Sequence, residues 1–258
     1  MIDNHESREC NLEIKGLTKS FIINGRAHLI LSGVDLSIER SEFVAIVGES
    51  GSGKTTLLRI VAGLEAADGG SVAVGGKKVC GVGVERGIVF QEPRLLPWLT
   101  VHQNVSLGLE LRRLPRPTIN QKVEEFLNLV GLGQFSAAYP GQLSGGMAQR
   151  VGIARALATN PEILLLDEPL GALDAMTKMR MQRELERIWQ EYGVTMIMVT
   201  HDIEEAVYLA DRIVVLSGGA NNIRRVIPVP LPRPRDRSSK QFGEIREALF
   251  QEFHLCTA

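Results

Sequence analysis

Residues 48–55 read GESGSGKT, the spacing G-x-x-x-x-G-K-[ST], and stand between the apolar run FVAIVG and the start of a helical pattern. Glycines at 48, 51 and 53 let the backbone curl until successive N–H groups face inward, which makes a nest for an anion. A helix opening at that point adds the positive end of its dipole. Lys54 then brings a full charge to β- and γ-phosphates, and Thr55 offers a hydroxyl to Mg2+. The candidate nucleotide-binding residues are Gly48, Glu49, Ser50, Gly51, Ser52, Gly53, Lys54, Thr55 and Thr56, with Lys54 also acting on the transferring phosphoryl group. The strand–loop–helix context separates this stretch from an ordinary glycine-rich turn.

A second constellation is ILLLDEP at 163–169, where Asp167 and Glu168 end an apolar run. Adjacent side chains on a strand point to opposite faces, so the two acids are expected to hold different tasks. A hydrophobic strand ended by Asp is the Mg2+-holding half of a P-loop nucleotidase, which assigns the metal to Asp167. Glu168 is left to orient or deprotonate a water for in-line attack on the γ-phosphate. Taken alone, two acids also end strands at surfaces; beside a phosphate loop they are read as chemistry. A third stretch, LSGGMAQR at 143–150, looks like a helix opener that binds anions, with no acid, base or nucleophile beside it. Met147 there is apolar where a polar residue is expected.

These groups need a scaffold, and the pattern supplies an α/β one. Alternating stretches at 12–17 and 34–38 read as strands, joined by a turn-rich piece containing Asn24-Gly25. FVAIVG at 43–48 has the profile of a strand buried on both faces, followed by a helix from Lys54 to about Ala62. Short strands are expected near SVAV and GIVF, and from about 93 to 160 the pattern turns mainly helical, an inserted subdomain. After Pro161 come a strand at ILLLD, a long helix from about Ala175 to Tyr192, a strand at TMIMVT, the helix DIEEAVYLA and the strand RIVVLS. Strands alternating with helices imply a mostly parallel sheet. From Ile227 the chain is rich in Pro and Arg and reads as a linker to a short last helix. The arginines of the basic tail (Arg224, Arg225, Arg233, Arg235 and Arg237) are expected to be solvated, or else to touch lipid headgroups.

Composition narrows the class. The chain has 258 residues, 44% apolar, with a formal net charge of -1, so no global basic field exists to hold nucleic acid or an anionic membrane. Cys10, Cys80 and Cys256 are far apart and form no CxxC pair, which fits a reduced compartment without disulfides or zinc. The N-terminal MIDNHESREC lacks an apolar h-region, and the longest apolar runs are too short to span a bilayer. A protein that is soluble by itself is expected.

The phosphate loop, Gln91 in VFQEPRLLPW, LSGGM, LLLDEP, Asp174 in GALDA and His201 in VTHD stand in one order, and the whole resembles the ATP-binding subunit of an ABC transporter. The resemblance covers nearly the whole chain, so one ABC domain over 1–258 is expected, a P-loop NTPase core with an N-terminal antiparallel β part and the helical insertion. The wording RLLPW, DEPLGALDA, WQEYG and THDIEEAV is most similar to subunits of importers for nitrate, taurine or aliphatic sulfonates. The resemblance implies ATP with Mg2+, Gln91 beside the metal and the attacking water, and His201 on the γ-phosphate together with Glu168. It implies two copies packed head to tail, with Asp174 at their contact and Ser144, Gly145 and Gly146 of one covering the ATP of the other. In the family Met147 is usually Gln, and a thioether cannot make the same donor contacts. Phe21 is the candidate aromatic for adenine, although INGRAHLI lengthens the gap to the phosphate loop and a core phenylalanine is the alternative. Leu95, Leu96, Pro97 and Trp98 either pack internally or form an apolar patch for a membrane permease. The implied location is the cytoplasmic face of the membrane, with an extracytoplasmic binding protein choosing the solute and no nucleic acid involved.

Overall fold

The computed structural model describes residues 9–218 and 222–254, so the extreme N-terminus and Cys256 lie outside the described residues. In chain order the first elements are β1 (Cys10–Ile23), β2 (Arg26–Glu39), β3 (Phe43–Gly48), α1 (Lys54–Ala62), β4 (Gly69–Val74), β5 (Lys77–Lys78) and β6 (Arg86–Val89). Next come α2 (Val101–Leu111), α3 (Arg116–Leu129), α4 (Gly145–Ala158), β7 (Ile163–Asp167) and α5 (Ala175–Tyr192). The last are β8 (Thr195–Val199), α6 (Ile203–Leu209), β9 (Arg212–Leu216), β10 (Ile223–Pro228) and α7 (Lys240–His254). The chain divides into two units, Met1–Gly83 with Val194–Ala258, and Val84–Gly193.

The first unit carries two sheets. One is antiparallel in the order β2-β1-β4-β5. Its hairpin turns on Asn24 and Gly25, both at positive φ (51° and 75°), the two-residue turn whose twist matches its flanking strands. Both hairpin strands run 14 residues, longer than the alternation at 12–17 and 34–38 suggested. Gly16 and Gly33 sit at positive φ, and the β1–β2 register shifts between Ile14 and Leu17, which breaks the alternation without breaking the pairing. The other sheet runs β10-β9-β3-β8, with β3 parallel to β8 and β9 and β10 antiparallel at the edge. Every residue of β3 is buried, which is why its sequence is one apolar run.

Helix α1 ends on Gly63 at φ 75°, whose N–H caps the carbonyls of Arg59 and Ile60. A methyl group on Gly63 would run into the Gly81 carbonyl. Gly63→Ala is therefore expected to cost more than about 2 kcal/mol, from the left-handed backbone and the collision together. Thermal unfolding read by circular dichroism checks this, and an unchanged Tm would contradict it.

The second unit pairs β6 with β7 in parallel and packs α2, α3 and α4 on one another. Val105, Leu109, Val123, Phe126, Leu127, Ile153 and Leu157 are buried among these helices. Pro115 is the N-cap residue of α3, and Pro117 stands in its first turn, where the missing N–H costs nothing. Helix α5 spans Ala175–Tyr192 as expected and buries Met181, Leu185 and Ile188 on one stripe.

The arginine-rich segment corrects the sequence reading. Its first residues belong to β10, the stretch after Pro228 runs without regular structure to α7, and all five arginines are engaged, although Arg224 and Arg225 stay exposed. Arg224 and Arg225 pair with Glu252 of α7 at 3.0 and 2.6 Å, and the Arg225 guanidinium holds that carboxyl below its ordinary range. Arg235 is buried and donates to the carbonyls of Val207, Ala210 and Val229. Arg233 reaches the Leu209 carbonyl and Asp211, and Arg237 stacks 4.2 Å from the centre of the Tyr208 ring. The physical reason is the end of α6, whose last carbonyls have no partner within the helix and take cationic donors instead. Among the described residues no helix is long and apolar enough to cross a membrane.

Candidate functional site

In the first unit, β3 delivers the phosphate loop. Gly48 ends the strand in register with Leu216, and any side chain on it would strike the Leu216 carbonyl. Gly51 and Gly53 take φ of 82° and 93°, conformations that glycine adopts without strain. Gly53 also packs on β2, where an added Cβ would sit 2.8 Å from Leu31 Cδ2. The buried Lys54 folds back over the loop, its ammonium donating to the carbonyls of Gly48 and Glu49 at 2.9 and 2.8 Å. Glu49, Ser50 and Gly51 are exposed along the loop, and Thr55 and Thr56 are half-buried on the first turn of α1. That turn has no side-chain cap, and Ser52 Oγ is buried with no hydrogen-bond partner among the described residues. Helix N–H groups, a lysine and an unsatisfied hydroxyl around one curled backbone suit an anion of phosphate type.

His201 belongs to the same unit. Strand β8 lies beside β3 with Val199 opposite Ile46, and Thr200 N–H donates to the Ile46 carbonyl at 3.2 Å. Both the phosphate loop and His201 thus follow the carboxyl ends of neighbouring parallel strands, where ligands of open α/β sheets bind. The turn is held from below: the buried Thr200 hydroxyl donates to Glu205 at 2.8 Å and accepts from the Asp202 N–H at 3.0 Å. Asp202 then caps α6 by accepting from the Glu205 N–H. The imidazole itself is exposed. Phe21 is half-exposed in β1, with the Lys19 ammonium 5.0 Å from its ring centre, so the alternative of a core phenylalanine does not hold.

The second unit gathers Gln91, Asp167, Glu168, Asp174 and the Ser144 helix. Asp167 is the last residue of β7, but Glu168 is already off the strand, at φ 46° and immediately before Pro169. A non-glycine residue there is uncommon, and such strain concentrates at functional positions. The two acids are therefore separated by a left-handed turn, not by the pleat that adjacency on a strand suggested. A Cβ added to Gly171 would lie 3.4 Å from Gln91 Nε2 and 3.6 Å from Glu168 Oε2, so these two side chains converge on one point. Asp174 caps α5, accepting from the N–H groups of Met176 and Thr177 at 3.1 Å, and the Thr177 donors hold its carboxyl below the usual range. Ser144 caps α4 by accepting from Met147 N–H at 3.3 Å. Ser144 and Gly145 are exposed, whereas a Cβ on Gly146 would press to 2.7 Å from Thr177. Trp98 is 69% exposed, which rules out internal packing for it, while Leu95 and Leu96 are half-buried.

Sequence reasoning missed the buried polar side chains behind these groups, among them Thr200, Glu205, Asn104 and Gln149. Only burial makes a Thr or Gln noticeable, and burial of these residues is not periodic in the sequence.

The comparisons with known proteins agree with one another. A family model described as ABC transporter matches residues 31–171. The aliphatic sulfonates import ATP-binding protein SsuB of Bacillus subtilis is 46% identical over 91% of this chain and 91% of its own length. The nitrate import ATP-binding protein NrtD of a Synechocystis strain is 46% identical over 89% of this chain and 88% of its own. The bicarbonate transport ATP-binding protein CmpC of Synechococcus elongatus is 48% identical over 87% of this chain, which spans 34% of that longer protein. Among solved structures, the dimeric post-hydrolysis state of the ATP-binding cassette MJ0796 with ADP and Pi superposes with a TM-score of 0.75. Its sequence identity is 35%, over 84% of this chain and 98% of that one.

Proposed function

Because this chain belongs to the ABC transporter family as an ATP-binding subunit, we propose that two copies of it close head to tail on two ATP and drive a separate membrane permease. The observation that carries the reading is the opening of α4. The phosphate loop already has its own helix opener in α1, with a lysine beside it. Helix α4 offers a second one, exposed, serine-capped and without an acid or base of its own on the turn. Such an end suits a γ-phosphate held by another copy, and the solved cassette with ADP and Pi is described as dimeric.

Each residue then has one task. Gly48 to Thr56 cradle the phosphates, Lys54 offsets charge on the transferring group, and Phe21 offers its face to adenine. Glu168 aligns and deprotonates the attacking water, and His201 donates toward the γ-phosphate. Ser144, Gly145 and Gly146 of the second copy complete the anion site, and Asp174 sits where the copies meet. Mg2+ would be held by oxygens of Thr55, Gln91 and Asp167, because that ion is bound through one or two carboxylates together with phosphates and water rather than by a full protein cage. When bound it would neutralise charge on the β- and γ-oxygens.

The names of the relatives support transport of a small organic or inorganic anion such as a sulfonate or nitrate. Taurine, a sulfonate itself, belongs to the same proposal, as does an extracytoplasmic solute-binding protein that delivers the solute for import. This subunit would lie on the cytoplasmic face, with Trp98 on the surface that meets the permease and no nucleic acid partner. The complex purified with its permease and binding protein is expected to raise its ATPase rate several-fold with one of these anions and not with sugars. Trp98→Ala should cut co-purification with the permease while MgATP affinity stays unchanged. Stimulation by none of the anions would remove the solute class, and full co-purification of the variant would remove the docking role of Trp98.

A further inference from the structure

Gln91 is exposed and lies on a segment without regular structure between β6 and α2. A side chain on such a segment has a fixed position only where its backbone is held. One face of α4 does the holding. Gln149, 2% exposed, donates from Nε2 to the Phe90 carbonyl at 3.1 Å. Arg155 reaches the other side of Gln91, with Nη2 on the Pro93 carbonyl at 2.7 Å and Nη1 on the Arg94 carbonyl at 2.9 Å. Between them Gly152 lies flat against the same segment, where a Cβ would meet Pro93 Cβ at 3.6 Å. Positions three apart share a helix face, so 149, 152 and 155 present a donor, a gap and a donor to residues 90–94.

The chemistry of these contacts makes them firm. A primary amide this deeply buried is costly unless it is bonded, and a guanidinium spanning two carbonyls is a charge-assisted clamp. Asn104 does the same for the next residues. Fully buried, it accepts from Leu96 N–H at 2.8 Å and donates to the carbonyls of Leu96, Leu99 and Thr100 at 3.0 to 3.1 Å. Pro97 and Trp98 are exposed on the segment so held, Trp98 at 69%.

We propose that Gln149 and Arg155 are positioning residues for Gln91, tying its loop to the helix that Ser144 opens, so that the phosphate-facing turn of α4 and Gln91 shift as one piece. The inference rests on the roles given above to Gln91 and Ser144. Joint movement of the two then has a traceable route: Ser144 through about one and a half turns of α4 to Gln149, then across one hydrogen bond to the residue before Gln91.

The test uses the full chain with Gln91→Ala, Gln149→Leu, Arg155→Met and Arg155→Lys. Four quantities are read: kcat and KM for MgATP, Tm, and the rate of tryptic cleavage after the exposed Arg94. Loss of one neutral hydrogen bond is expected to lower kcat about fivefold in Gln149→Leu, and loss of the clamp about tenfold or more in Arg155→Met. KM should stay within about threefold, Tm within a few degrees, and cleavage after Arg94 should speed up by a similar factor as the loop is freed. Arg155→Lys, which keeps a cationic donor, should recover at least half of the lost kcat. Any other pattern overturns the proposal, in particular unchanged kcat, or losses that track Tm and are as large in Arg155→Lys as in Arg155→Met. If Gln91→Ala leaves kcat intact, the role of Gln91 has failed and takes the inference with it. If Gln91→Ala slows turnover and the α4 variants do not, the positioning role alone has failed.

Discussion

Glu168→Gln is expected to lower steady-state ATP turnover by about two orders of magnitude or more while MgATP still binds, so that the protein accumulates as an ATP-bound dimer. The amide has the shape of the carboxylate but neither its charge nor its basicity, and a positioned base contributes about 10²- to 10⁴-fold. Structure should survive the change. Glu168 stands at φ 46° before Pro169, and Gln meets the same backbone demand as Glu. The convergence of its side chain with Gln91 near Gly171 leaves the amide within reach of the same point, so binding geometry is kept and only the proton chemistry is lost. Size-exclusion chromatography with MgATP reads the dimer and phosphate release reads the turnover. Phosphate release at the wild-type rate would remove Glu168 from the chemistry.

Ser144→Arg is expected to abolish turnover outright, with MgATP binding by the isolated chain retained. The substitution removes the oxygen that accepts from Met147 N–H, at a cost of about 1 kcal/mol to the helix, and sets a cation against the positive end of α4. Its larger effect is steric, since a long side chain would fill the space where the other copy's γ-phosphate belongs. Met147→Gln should change turnover by no more than a few-fold. Met147 serves Ser144 through its backbone N–H, which a glutamine keeps. The arrangement between copies has its own signature. A mixture of Ser144→Arg chains with Lys54→Ala chains contains one intact pairing, the Lys54 loop of the first with the Ser144 helix of the second. Partial recovery of ATPase on mixing supports the head-to-tail site, and no recovery at any ratio would mean that each chain uses its own signature helix.

Much of the site was legible because its parts are local. GESGSGKT needs only glycines at fixed steps, a preceding strand and a following helix, and the helix found at Lys54–Ala62 is the one that the pattern required. Likewise ILLLD became a buried strand and Ala175–Tyr192 a helix at the expected bounds, since apolar periodicity reports burial on one or both faces directly. The hairpin was read too short because two glycine irregularities hid the alternation of strands that pair without interruption of their course. The arginine-rich segment was misread because composition reports charge and not partners: the carbonyls that Arg235 takes lie as far as 28 residues back, at the end of α6.

The sequence by itself therefore determined the family, the phosphate loop, the order of the candidate site residues and most of the helices and strands that carry them. All of these depend on contacts between near neighbours, whose spacing is written in the chain. Only the tertiary structure decided the left-handed turn that swings Glu168 off its strand, the exposure of Trp98 and the half-exposure of Phe21. It alone decided which carbonyls Gln149 and Arg155 would take, 59 to 62 residues away along the chain. A single buried side chain meeting a distant backbone atom leaves no period and no motif, so its partner exists only once the chain has folded.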